Sequence, residues 1–241
     1  VNTNSTKYTF IFAVIVCVAC GVLLSAVSKG FEKMQLLNEE LDVKKNILKA
    51  VVLKEPITPK MPADEVLKVY ESKIEELVID AEGNVVEGKK PHQLTEKDKD
   101  LYPLYIYKED GQVVSYAFPV TGLGLWSTLY GYFAIEADAV TVRGITFYKH
   151  GETPGLGGEI EKEWFQHNFL GKKIYSIKDQ KLTPIAVVKG KAANIYKDDP
   201  AAFAYHVDGI TAATITGNGV TDLMDKWIKI YDVYLSKVRK N

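Results

Sequence analysis

The chain has 241 residues, 46% of them apolar and 25% charged, with 30 Lys plus Arg against 31 Asp plus Glu and a formal net charge of -1. That balance suits one large globular domain or two small ones and excludes a disordered or collagen-like chain. It leaves no basic excess to neutralise phosphates, so nucleic acid is not an expected partner. Cys17 and Cys20 are the only cysteines, which excludes a disulfide framework.

Residues 1–7 read as a short tail. From Tyr8 to Val27 the run YTFIFAVIVCVACGVLLSAV carries no charge and has about the twenty residues a helix needs to cross a bilayer. Lys7 and Lys29 fence it, and residues 8–28 are expected to form a single transmembrane helix. The run is longer than the h-region of a secretory signal, about 7–15 residues, which favours an uncleaved anchor even though small residues at 24–28 offer a peptidase a place to cut. Cys17 and Cys20 form a Cys-x-x-Cys inside the run. No βαβ pattern surrounds them, so they read as small apolar residues of a membrane helix rather than a redox pair. Lys7 before the span, against Lys29, Lys33, Lys44 and Lys45 after it, points by the positive-inside rule to a cytoplasmic domain, although long translocated domains escape that rule.

Leu37, Leu41, Ile47, Leu48 and Val51, spaced among charges, predict an amphipathic helix within a linker over residues 29–55. Pro56, Pro59 and Pro62 end it, and the folded domain is assigned to residues 56–241. Residues 63–77 are predicted as a short helix, followed by a turn at Glu82-Gly83-Asn84 and a solvated loop over 89–100. Leu104 and Ile106, then Val114, Tyr116, Phe118 and Val120, alternate about Asp110-Gly111 as in a hairpin. Residues 130–136, 140–148 and 185–188 look like further strands. The fold class is α+β, with a mainly antiparallel sheet and flanking helices.

The last helix has the clearest signature. Val220, Leu223, Met224, Trp227, Ile228 and Tyr231 fall at i, i+3, i+4, i+7, i+8 and i+11, one apolar stripe whose amino end is expected close to Asn218. Ahead of it runs VDGITAATITGNG, dense in hydroxyls and small residues. Unpaired N–H groups and the helix dipole suit a phosphate there; the plainer alternative is that Thr216 or Asn218 caps the helix. A second tract, HGETPGLGG from His150 to Gly158, specifies a tight, preset backbone that is either a surface turn or a platform for a flat ligand. Its spacing is not that of a dinucleotide fingerprint. His92, His150, His167 and His206 show no metal-ligand spacing, and no nucleophile-elbow motif is present, so neither a zinc or haem site nor a hydrolase is expected.

Together, Glu152-Thr153-Pro154-Gly155-Leu156-Gly157 and the later Asp208-x-x-Thr211-Ala212-Ala213-Thr214 resemble the FMN-binding domain family of membrane redox subunits. Its second motif is D-x-x-[ST]-G-A-[ST]. The segment GLGLWSTLYG, from Gly122 to Gly131, resembles that of the C subunit of sodium-translocating NADH:quinone oxidoreductases more than that of the related Rnf-type G subunit. The resemblance implies an electron-transfer subunit that carries FMN covalently, through a phosphoester to Thr214 made by a flavin transferase. It implies that Trp126, Glu152, Thr153, Gly155 and Leu156 line the ring, with Thr211 and Thr216 beside the phosphate. Lys189 matches a family lysine near the flavin, where a cation would favour the more negatively charged reduced form and raise the potential. The implied partners are other flavin and iron–sulfur subunits of a sodium-exporting NADH:quinone complex. The implied location is a bacterial inner membrane, with a single pass and the domain in the periplasm, against the lysine count. The G subunit of an Rnf-type complex and a non-redox anchored binding or assembly module are the alternatives. Ala212 departs from the motif's glycine, a substitution that costs energy if the backbone there needs positive φ.

Overall fold

The computed structural model describes residues 5–52 and 61–240; Pro56 and Pro59, expected to end the linker helix, lie outside them. The chain divides into two units after Val43. Helix α1 runs unbroken over Thr6–Val51, so the predicted span and linker helix are one element. In the first unit its apolar side chains from Phe10 to Leu37 are exposed, and Cys17 and Cys20 are free thiols on its surface. Among the described residues, α1 is the one helix long and apolar enough to cross a membrane.

The second unit, from Lys44, is built on a five-stranded antiparallel meander in the order β1-β2-β3-β4-β5. The strands are β1 (Ile74–Asp80), β2 (Leu101–Glu109), β3 (Gln112–Leu123), β4 (Thr128–Glu136) and β5 (Val142–Lys149), preceded by helix α2 (Ala63–Lys73). The predicted helix over 63–77 therefore stops at Lys73. Ile74, Val78 and Ile79 are buried β-branched residues, and pairing from Ile74↔Tyr107 to Asp80↔Leu101 overrides the helical spacing. The predicted hairpin forms at Asp110 (φ 49) and Gly111 (φ 79), the two positive dihedrals that suit a two-residue turn between right-twisted strands.

Consecutive residues of β4 are buried, as expected of a sheet covered on both faces. On one face lies the final helix, α6 (Thr214–Lys240), placed after α3 (Glu163–Gln166), β6 (Tyr175–Ser176), β7 (Lys181–Leu182), β8 (Ala186–Val187), α4 (Ala192–Ile195), α5 (Pro200–Phe203) and β9 (His206–Val207). Tyr231 of α6 stacks on Phe118 at 3.9 Å, and its hydroxyl donates to the Pro103 carbonyl. Trp227 Nε1 donates to the Thr121 carbonyl at 2.6 Å. Each large side chain buried in this layer contributes roughly 1.5–3 kcal/mol of transfer free energy. On the other face, Ile47, Leu48, Ala50 and Val51 of α1 are buried, and Arg143 of β5 donates to the Val51 carbonyl while pairing with Glu136 at 2.8 Å. These two layers fix where α6 begins, at the sheet end that carries the β3–β4 connection.

Candidate functional site

Helix α6 begins at Thr214, ahead of the start expected near Asn218, so the hydroxyl-rich tract supplies its first turn. The first helical bond runs from the Gly217 N–H to the Ala213 carbonyl at 2.9 Å. The N–H groups of Thr214, Ile215 and Thr216 make no hydrogen bond among the described residues. They are the unpaired donors of a helix start, reinforced by the dipole of a 27-residue helix. Just upstream, a turn closes from the Ala213 N–H to the Ile210 carbonyl at 3.2 Å, with Ala212 at φ 59. The backbone at the motif's glycine position is therefore left-handed, and Ala212 holds it against the clash of its Cβ.

Thr216 does not cap the helix. It is 1% exposed, and its hydroxyl donates to Glu152 Oε2 at 2.6 Å. Glu152, itself 5% exposed, also accepts the N–H groups of Leu125 (3.1 Å), Trp126 (2.8 Å) and Ser127 (3.2 Å). Burial pushes its pKa up, but the Thr216 hydroxyl and these three N–H groups outweigh burial and hold it below the usual carboxylate value. One ionised carboxylate thus ties the β3–β4 loop, the 150–158 loop and the first turn of α6 together. Close packing completes the junction: a Cβ on Gly157 would lie 2.5 Å from the Thr216 hydroxyl, and one on Gly219 would lie 2.2 Å from the Leu123 carbonyl. Gly151 donates to Ser127 Oγ at 2.5 Å, so the serine that follows Trp126 bridges the two loops.

A third segment reaches the same place. Strands β8 and β9 pair in parallel, Ala186↔His206 and Val187↔Val207. Val187 donates its N–H to Thr221 Oγ1 of α6 at 2.9 Å, and the Gly209 N–H donates to the Gly190 carbonyl at 2.8 Å. Lys189 is therefore held beside the residue that stands two before Thr211. It is exposed and makes no ion pair among the described residues.

Thr211, Thr214, Thr153, Gly155, Leu156 and Lys189 are all exposed, and Trp126 is 72% exposed. The site is an open surface, with exposed Leu125, Trp126, Leu156 and Ile215 offering apolar area around the start of α6. Glu152 and Thr216 lie beneath it and spend their polar atoms on each other and on the loop. Ser127 and Gly219 escaped the sequence reading, because a hydrogen bond between loops and a backbone approach leave no local pattern. An open apolar surface beside unpaired N–H groups fits a flat ring carrying a phosphate.

Residues 124–229 match the family described as FMN-binding domain. Along 99% of its length the chain is 32% identical to the C subunit of the Na(+)-translocating NADH-quinone reductase of Yersinia pestis, covering 95% of that protein. The chain belongs to the family of C subunits of Na+-translocating NADH-quinone reductases. The C subunit of Vibrio anguillarum is likewise 32% identical, over 99% of this chain and 97% of that one. A crystal structure of the C subunit from Parabacteroides distasonis superposes with a TM-score of 0.71 at 31% identity, covering 85% of this chain and 96% of that one. Membership of this family decides against the Rnf-type branch, and the α+β fold agrees with the family's solved structure.

Proposed function

We propose that this chain is the FMN-carrying electron-transfer subunit of a Na+-translocating NADH-quinone reductase, with the flavin joined to Thr214 through a phosphoester. The observation that carries the reading is the position of Thr214. The motif's last hydroxyl is the exposed first residue of α6, beside three unpaired N–H groups and at the foot of an open apolar surface. FMN supplies the electron-carrying chemistry. The chain's own residues would hold it: the N–H groups of Thr214, Ile215 and Thr216, with Thr211 beside them, would take the phosphate, and Trp126, Leu156, Gly155 and Thr153 would take the ring.

An open surface encloses a ligand poorly, so noncovalent contacts alone would release a carrier whose affinity changes with redox state. A covalent tether removes that loss. Lys189 places a positive charge near the ring and favours the more negatively charged reduced form. Residues 8–28 anchor the chain in a bacterial inner membrane, the domain from 56 to 241 faces the periplasm, and the flavin would supply electron transfer to and from neighbouring flavin and iron–sulfur subunits. A separate flavin transferase attaches the FMN.

The experiment is denaturing electrophoresis under ultraviolet light together with intact mass, on protein taken from its native complex. The wild type is expected to fluoresce and to carry the added mass of FMN less one water, and Thr214→Ala to show neither. An unmodified wild type would sink the proposal in favour of an anchored module without redox chemistry.

A further inference from the structure

We propose that Asp208, which opens the flavin tract, is a positioning residue: it acts on the flavin through Lys189, by clamping the 188–192 segment against Gly209. The proposal rests on the flavin reading above and assigns a task to a residue that reading leaves without one.

Both oxygens of Asp208 are committed to that segment. Oδ1 accepts the Ala192 N–H at 2.8 Å, and Oδ2 accepts Lys191 Nζ at 2.8 Å. The side chain is 16% exposed, and no other polar contact to it is made among the described residues. Gly209, the next residue, sits so close that a Cβ would lie 2.0 Å from the Val188 carbonyl. The clamp therefore grips on both sides of Lys189: Val188 and Gly190 are held by the backbone of Val207 and Gly209, and Lys191 and Ala192 by the carboxylate. Gly190, at φ 97, makes the bend that brings the ends together. An exposed lysine on a free loop would average its charge over a wide volume. Held at both flanks, its backbone is fixed and its charge is confined to the reach of one side chain, and a charge's effect falls with distance.

The sign of the effect separates this role from a direct one. Removing a carboxylate near a flavin would by its own charge raise the potential, because added negative charge would be repelled less. Losing the placement of Lys189 would lower it. The test uses the flavin-loaded complex with Asp208→Asn, Lys189→Met and the double variant, and reads the midpoint potential of the flavin and amide hydrogen exchange over 188–192. Lys189→Met is expected to lower the potential, Asp208→Asn to lower it too, and the double variant to go no lower than Lys189→Met alone. Asparagine keeps an acceptor for the Ala192 N–H and loses the Lys191 ion pair, so exchange is read in Asp208→Ala, where the Ala192 amide is expected to exchange about tenfold faster. Gly209→Ala displaces the same segment by an independent route, is expected to give the same sign, and decides the matter if Asp208→Asn fails to fold.

Unchanged exchange over 188–192 in Asp208→Ala, a raised or unaltered potential in Asp208→Asn, or no effect of Lys189→Met would each overturn the proposal. A fall in flavin content alone would assign Asp208 to recognition by the transferase instead. Failure of the flavin reading itself shows separately, as a wild type without covalent flavin.

Discussion

Thr216, in the first turn of α6, donates its hydroxyl to Glu152 Oε2 at 2.6 Å, joining residues far apart in the chain in one buried contact. The same carboxylate organises three successive N–H groups beside Trp126. Glu152→Ala would leave that hydroxyl and those donors without an acceptor and is expected to cost roughly 3 kcal/mol. Glu152→Gln keeps one acceptor and is expected to cost about 1 kcal/mol. Urea unfolding monitored by circular dichroism measures both, and equal stability of all three proteins would mean that the Glu152 carboxylate does not hold this junction.

The same contact predicts a pH dependence. Burial raises the Glu152 pKa, but its hydrogen bonds lower it more, so the folded value lies below the unfolded one. Its contribution is present in full above the unfolded value, about 4.3, and is lost as pH falls through the lowered folded value. Acid titration of stability should therefore fall more steeply below about pH 4.3 in the wild type than in Glu152→Gln. Matching acid limbs in the two proteins would contradict this.

The alternating apolar residues about Asp110-Gly111 and the stripe from Val220 to Tyr231 made the hairpin and the final helix legible, because burial of one face leaves a periodic trace. Strand β1 was hidden, since Ile74 to Ile79 follows a helix without a turn and only pairing with β2 decides its form. The start of α6 at Thr214 leaves no periodic trace for a related reason. Its first turn lacks apolar residues facing the sheet, and Thr216 points instead at a carboxylate whose partnership no local pattern records. Thr214 and Lys189 entered through motif resemblance rather than periodicity.

Ala212, at φ 59, makes a testable exception to the motif. An L-residue in the left-handed region costs roughly 1–2 kcal/mol, and glycine gives back about 0.5–1 kcal/mol through its freer unfolded chain. Ala212→Gly is therefore expected to stabilise the protein by about 0.5–1 kcal/mol, which for a domain of this size raises Tm by about 1–4 °C. A lower Tm in this variant, measured by calorimetry, would mean that the Ala212 methyl has a favourable contact that outweighs its strain.

Gly219 tests the junction from the opposite side. It lies inside α6, where alanine is ordinarily the better residue by about 1 kcal/mol. Here a Cβ would stand 2.2 Å from the Leu123 carbonyl and 3.3 Å from Gly124, both backbone, so neither can rotate away. The collision must be relieved by moving the β3–β4 loop off the helix, which also pulls Leu125, Trp126 and Ser127 from Glu152. Gly219→Ala is expected to reverse the helix preference and destabilise by about 2 kcal/mol, with faster amide exchange at 124–127 and no change in the hairpin at 110–111. If instead the variant gains stability as an ordinary helical alanine would, the close approach of α6 to the Trp126 loop is wrong, and with it the geometry that seats the ring beside Thr214.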